Sequence, residues 1–221
     1  MKNIVVTGAS KGIGQAIVNT LHKDNYKLIL IASSLESFKE RNPDITYIAA
    51  DFTSSDDIDA AAESISKQFD HIDVLINNVG TYLGKPLADT ELQEMRHLMD
   101  VNFAGPAHFT KRMLPLLSRG KHAQIINISS VAAKKHMAEM AAYAASKAAV
   151  TWFANSLRFE LNQQGIRVTV LHPNSVNTWN DPHPELLLDP NNIANTVKFI
   201  IESDPKCQIE EMTITPVKSV D

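Results

Sequence analysis

The sequence predicts an α/β protein built on one doubly wound parallel sheet of seven strands. Three observations carry that prediction. Seven short apolar runs recur along the chain, at 4–6, 27–31, 46–50, 74–76, 124–128, 167–171 and 212–214. Most are continuous rather than alternating, as expected of strands covered on both faces. Segments with helical spacing lie between them, and strand-helix alternation with right-handed crossovers gives a doubly wound sheet whose ligands sit beyond the carboxyl ends of the strands.

Taken in order, the first run, Ile4-Val5-Val6, leads through a glycine-rich turn into a helix over 13–22. The second and third runs follow. A helix over 55–69 begins beside Asp56, Asp57 and Asp59, acids that complement the positive end of its dipole. After the fourth run, a long helix over 90–117 is expected to bend or break near Gly105-Pro106. The fifth run precedes an alanine-rich helix over 141–164, and the sixth precedes a helix over 190–202. That last helix opens on Asp189-Pro190, a cap residue followed by proline where no amide partner is needed. No internal repeat, linker or low-complexity tract interrupts the pattern, and one domain over 1–221 is expected.

Composition excludes several classes of function. Lys and Arg number 21 against 25 Asp and Glu, a net charge of −4, so nothing marks a nucleic-acid or anionic-membrane partner. The lone Cys207 can form no internal disulfide, and the eight histidines show no ligand spacing, so no metal site is expected. No signal-peptide core and no apolar stretch approaching ~20 residues is present. A soluble, complete, cytoplasmic protein acting on a small molecule is the expectation.

The first strand runs into Thr7-Gly8-Ala9-Ser10-Lys11-Gly12-Ile13-Gly14. Glycines permit a tight turn and close approach to a pyrophosphate, while the helix start offers free amides. The spacing is G-x-x-x-G-x-G rather than the general G-x-G-x-x-G. At the end of the second strand, an acid would bind a ribose 2′-hydroxyl and repel a 2′-phosphate. Ala32-Ser33-Ser34 has no acid there, and Lys11 supplies a cation, which favours NADP(H) with NAD(H) as the alternative.

Tyr143 and Lys147 fall four apart on one helix face. A phenol of ordinary pKa about 10 needs a neighbouring ammonium to work at neutral pH, and the pair suits acid/base chemistry on an alcohol or carbonyl. Ser130 lies thirteen residues upstream of the tyrosine, at the end of the fifth strand. Its neighbour Ser129 should point to the other face.

From Thr7 to about Thr178 the chain resembles a short-chain dehydrogenase/reductase. The matching motifs are Thr7 to Gly14, Asp51-Phe52, Asn77-Asn78-Val79-Gly80, Val101-Asn102, Ser129-Ser130, Tyr143 with Lys147, and Pro173-Asn174-Ser175-Val176-Asn177-Thr178. The resemblance implies a Rossmann fold and an NADP-preferring reductase of the 3-oxoacyl-reductase type. It implies that Gly8, Ser10, Lys11, Gly12, Ile13, Gly14, Ser33, Asp51, Phe52, Asn78, Gly80 and Pro173 contribute to the cofactor site, with Asp51 at the adenine. Tyr143 would exchange the proton, Ser130 would donate to the substrate oxygen, and Lys147 would hold the nicotinamide ribose and lower the tyrosine pKa. Asn102 would anchor a water leading to Lys147, and Val176 and Thr178 would meet the carboxamide. Secondary-alcohol oxidation is the reverse direction, and a non-catalytic NADP(H) sensor is the competing class.

Departures from the family pattern fall outside the tetrad. Val79 and Asn174 replace small residues, and the end of the chain, through Val217-Lys218-Ser219-Val220-Asp221, lacks a glycine-rich finish, which puts the family's tetramer contact in doubt. A homodimer through the long helices is expected instead. The lid over 178–189 is short; Trp179, Asn180, Asp181, Pro182 and His183 with Leu186 to Leu188 offer a small, partly open pocket, and the leucines could line it or cap the core. Lys134-Lys135-His136 reads as a solvated loop, or as an attractor for an acidic substrate.

Overall fold

The computed structural model describes residues 1–24, 26–38, 41–179 and 182–218. Asn180 and Asp181 of the lid, and Ser219, Val220 and Asp221, lie outside the described residues. Seven strands form one sheet: β1 (Lys2–Thr7), β2 (Tyr26–Ala32), β3 (Thr46–Ala49), β4 (Val74–Asn77), β5 (Gln124–Ile128), β6 (Arg167–Pro173) and β7 (Glu211–Ile214). All pairings are parallel, in the order β3-β2-β1-β4-β5-β6-β7. The helices are α1 (Gly12–Leu21), α2 (Ser55–Gln68), α3 (Leu92–Met99), α4 (Gly105–Leu117), α5 (Ala141–Leu161) and α6 (Pro190–Glu202).

Strand alternation divides the apolar runs between two cores. Ile4, Val6, Leu28, Leu30, Val74 and Ile76 face α1 and α6, meeting Ile17, Leu21, Ile193 and Val197. Val5, Ile29, Ile31, Leu75 and Ile125 face α2, α4 and α5, meeting Ile58, Phe109 and Leu157. Each fully buried Ile or Leu contributes ~1.5–3 kcal/mol relative to exposure, so a continuous run stabilises both layers at once. The edge strands differ: β3 and β7 are only partly buried, because each has a neighbour on one side alone.

One expectation needs correction, and a second gains its detail. Strand and helix do not alternate throughout, since among the described residues the β2–β3 connection holds only a single 3₁₀ turn, Leu35–Ser37. That loop is pinned instead by Phe38 packing edge-on against Tyr47 at 4.9 Å. The helix over 90–117 starts at Leu92, and its regular α geometry is interrupted immediately before Gly105-Pro106, as expected. It passes from α3 to α4 through a π-helical segment, Asp100–Ala104, in which the Gly105 amide donates to the Asp100 carbonyl. Pro106 has no amide to give the Asn102 carbonyl, and its ring excludes the regular four-residue bond there. Gly105 presses against α2's approach: a Cβ would stand 2.1 Å from the Phe52 carbonyl oxygen.

Candidate active site

Strand order reverses direction between β1 and β4, so the loops leaving these two strands face each other across a crevice. Thr7, at the end of β1, locks them together: its hydroxyl accepts from the amides of Asn78 and Val79, both at 3.1 Å, and donates to the Ile76 carbonyl. The Asn78 side chain returns the contact, donating to the carbonyls of Thr7 at 3.1 Å and Gly8 at 2.9 Å. Gly8 and Gly12 hold left-handed backbone, φ +62° and +54°. Gly14 plays a different part from its neighbours. A Cβ there would lie 2.0 Å from the Gly8 carbonyl oxygen, so Gly14 seats α1 beneath the turn rather than forming the groove wall.

Above the turn lies a trough of about 650 Å³ whose lining includes Gly8, Ser10, Lys11, Gly12, Ser33, Asp51 and Phe52. Hydrogen bonds from the Thr53 amide (2.8 Å) and hydroxyl (2.9 Å) hold the Asp51 carboxyl below its usual pKa and fix its direction. Beyond it opens a second cleft of about 340 Å³. Ile13, Asn78, Gly80, Thr81, Thr178 and Trp179 belong to both walls, which makes one continuous groove. Its length, its amide-rich turn and its glycine cradle fit a dinucleotide.

The second cleft brings together Ser130, Tyr143, Lys147, Pro173, Val176 and Thr178. The two serines separate as alternation requires. Ser129 is buried, its hydroxyl donating to the Lys147 carbonyl at 3.0 Å beside Thr151, whereas Ser130 lines the cleft with Tyr143, its hydroxyl accepting from the Ala132 amide at 3.2 Å. Burial pushes the Tyr143 pKa up; Ser130 offsets this in part, and the neighbouring Tyr82 adds to the rise. The direction is the reverse of the expected lowering. Lys147 is itself buried, donates from Nζ to the Ile128 carbonyl at 3.1 Å, and lies 6.0 Å from the Tyr143 ring centre. Desolvation brings its pKa down to about 8.

Asn102 is placed by the π-helical segment and lies under the groove, not in its wall. Its Nδ2 donates to the Thr81 carbonyl (3.0 Å) and the Ser146 hydroxyl (2.9 Å), and its Oδ1 accepts from the Thr81 amide (2.7 Å). Asn102 therefore clamps the loop after β4 to α5. It also borders a cavity of about 10 Å³ with Asn77 and Asn127, close to the size of one water. Asn77 Oδ1 and Asn127 Nδ2 are buried there without a protein partner.

Sequence reasoning missed two further features. One is a buried network behind Ser130: His172 Nδ1 stands 3.2 Å from the Ser130 carbonyl oxygen, and Nε2 stands 3.3 Å from Glu211 Oε2, off the angle for a hydrogen bond. Glu211 is paired with Lys134 and accepts from Asn155 of α5 at 2.9 Å, and these contacts lower its pKa to about 2. Lys134, Lys135 and His136 are exposed, as the solvated reading expects, and Lys134 in addition pairs with Glu211. The other is Tyr82, which packs edge-on against Tyr143. The lid leucines divide their tasks, Leu187 lining the cleft and Leu188 joining the α1/α6 core through its bridge to Val176.

A family model of short chain dehydrogenases matches residues 2–183. An uncharacterized oxidoreductase of Staphylococcus epidermidis is 31% identical, covering 98% of this chain and 97% of its own. Among solved structures, an alcohol dehydrogenase from the archaeon Thermococcus sibiricus, complexed with 5-hydroxy-NADP, superposes with a TM-score of 0.91 at 25% identity, over 100% of this chain and 99% of that one. A metagenomic short-chain oxidoreductase in complex with NADP gives a TM-score of 0.86 at 30% identity, over 98% and 97%. Among the described residues, no helix is long and apolar enough to cross a membrane.

Proposed function

Because the chain belongs to the short-chain dehydrogenase family of oxidoreductases, we propose that it is an NADP(H)-dependent reductase of a ketone or aldehyde, a 3-oxoacyl compound being one member of that class. The observation that carries this reading is the meeting of the Ser130 hydroxyl and the Tyr143 phenol in the cleft, above buried Lys147, at the end of a trough sized for a dinucleotide. Ser10, Lys11 and Ser33 at the far end, with no acid among them, support a 2′-phosphate.

A nicotinamide cofactor held in this groove would supply the hydride. Everything else falls to the chain. Ser130 donates to the carbonyl oxygen and stabilises the charge that builds there. Tyr143, a phenol and so protonated at neutral pH, gives its proton to that oxygen. Lys147, a cation below about pH 8, offsets the phenolate left behind. Asn102 fixes Thr81 and, through Ser146, the helix that carries Lys147, so it holds the two sides of the site in register. Val176 and Thr178 flank the nicotinamide end, and the reverse reaction uses the same groups.

The test is NADPH consumption over a panel of carbonyl compounds, run beside Tyr143→Phe, with NADPH and NADH titrated against both proteins. Expected are turnover by the wild type, a rate at least about 10³-fold lower in the variant, equal cofactor affinity in both, and tighter binding of NADPH than NADH. Equal consumption in the two proteins, or none across the panel, would favour a sensor; tighter NADH binding would overturn the cofactor preference. A homodimer through α5 is part of the proposal, since Trp152 and Phe159 stand one above the other on that helix at 73% and 78% exposure.

A further inference from the structure

The substrate half of the cleft has walls that no part of the reaction uses, and their chemistry is legible. One wall is the loop after β4, which presents Tyr82; the other is the strap carrying Met137 and Met140; Trp179 and Leu187 close the side toward the lid. Among the described residues lining this cleft, the one ionised side chain is Lys147, and its ammonium is engaged at the Ile128 carbonyl. The nearby Lys134 is paired with Glu211.

Tyr82 is 52% exposed yet held from both sides. Its ring meets Tyr143 edge-to-face, with centres 5.1 Å apart and planes at 71°. Behind it, Gly84 leaves the room that the phenol occupies, since a Cβ there would stand 2.3 Å from Tyr82 Oη and 3.0 Å from Cζ. The preceding residue, Thr81, is clamped by Asn102. The two walls are also joined: the Lys85 amide donates to the Glu139 carbonyl, and Glu139 holds left-handed backbone at φ +60° between the two methionines. Such strain persists where surrounding contacts over-determine it, so the mouth of the cleft is preformed.

Resting on the carbonyl-reductase reading, we infer that the substrate is an uncharged aldehyde or ketone bearing an aromatic group, and that Tyr82 is the residue that selects it. Aromatic faces and thioethers together favour an aryl ring, through edge-to-face and sulfur-ring contacts. A carboxylate or phosphate on the same group would be desolvated where the described lining offers no cation besides the engaged Lys147. The step balances as an ordinary reduction: the carbonyl π bond is replaced by a C–H bond, whose hydride comes from NADPH oxidised to NADP⁺, and an O–H bond, whose proton comes from Tyr143.

The experiment measures kcat/KM on the full chain with NADPH and four aldehydes: benzaldehyde, 4-methylbenzaldehyde, 4-carboxybenzaldehyde and butanal. The methyl compound should exceed the carboxylate by about tenfold or more. Tyr82→Leu should lower the benzaldehyde-to-butanal ratio of kcat/KM by about tenfold, chiefly through KM for benzaldehyde, whatever it does to the rate common to both through its contact with Tyr143, and Tyr82→Phe should recover the ratio. A carboxylate accepted as well as the methyl compound overturns the inference, as does a Tyr82→Leu variant that loses butanal and benzaldehyde equally. No NADPH consumption with the three aryl aldehydes, while other carbonyl compounds of the wider panel are reduced, overturns this inference alone; no consumption with any carbonyl compound overturns the reductase reading with it.

Discussion

At the scale of the residue, Lys147 shows a site held against stability. A lysine whose pKa falls from 10.5 to about 8 on folding is stabilised less when charged, so folding at neutral pH carries a cost of about 3 kcal/mol. The folded state releases that proton near pH 8 and the unfolded chain near 10.5, so stability from this group rises with pH between the two. Lys147→Met should therefore raise the unfolding free energy at pH 7 by about 1–3 kcal/mol while reducing turnover. Urea denaturation at pH 7, 8, 9 and 10 checks it: the gain should shrink above pH 8, and a constant difference would refute the cause given. Tyr143, Lys147 and Ser130 were legible in the sequence because their intervals follow the helix and strand that carry them. His172 and Tyr82 were not, since a His-Pro pair and a Tyr two residues after Gly80 acquire meaning only when Ser130 and Tyr143 are folded against them.

At the scale of the element, edge strand β7 does more than finish the sheet. Glu211 ties it to α5 through Asn155 and to the turn after Ser130 through Lys134, so its carboxylate fastens both elements of the reacting pair. Its pKa is depressed from 4.5 to about 2, so its stabilisation is present above pH 4.5 and is lost as pH falls through about 2. Glu211→Gln should cost about 1–3 kcal/mol at pH 7, with the gap to wild type closing below pH 4.5; thermal melts from pH 7 to 3 would show it, and a gap independent of pH would argue against the carboxylate. Helix ends such as Asp189-Pro190 could be read directly, because capping is local chemistry. The π-helical segment could not, since it arises from Pro106 and from Gly105 meeting the distant Phe52 carbonyl. The β2–β3 connection escaped for the same reason: ring packing of Phe38 on Tyr47 replaces a helix whose absence no local signal declares.

At the scale of the whole molecule, the sheet order follows from parallel crossovers and one reversal, and both halves of the groove meet at that reversal. Association is the property the exposed aromatics of α5 bear on. Trp152→Lys combined with Phe159→Lys should convert a dimer to monomer in sedimentation, with little change in monomer stability because both side chains are exposed in the single chain; a wild type that sediments as a monomer would dismiss the interface. The groove itself draws on the entire length of the fold. Gly8 and Gly14 are closed by Asn78 and Val79, Gly12 lies against Thr178, and Leu187 completes the far wall. Contacts of that sequence separation form late and slowly. During synthesis, β1 and its glycine turn emerge first and must wait for residues some hundred and seventy positions downstream, so nucleotide capture can occur only after nearly all of the sheet is in place, and retention of the cofactor reports that the chain has finished folding.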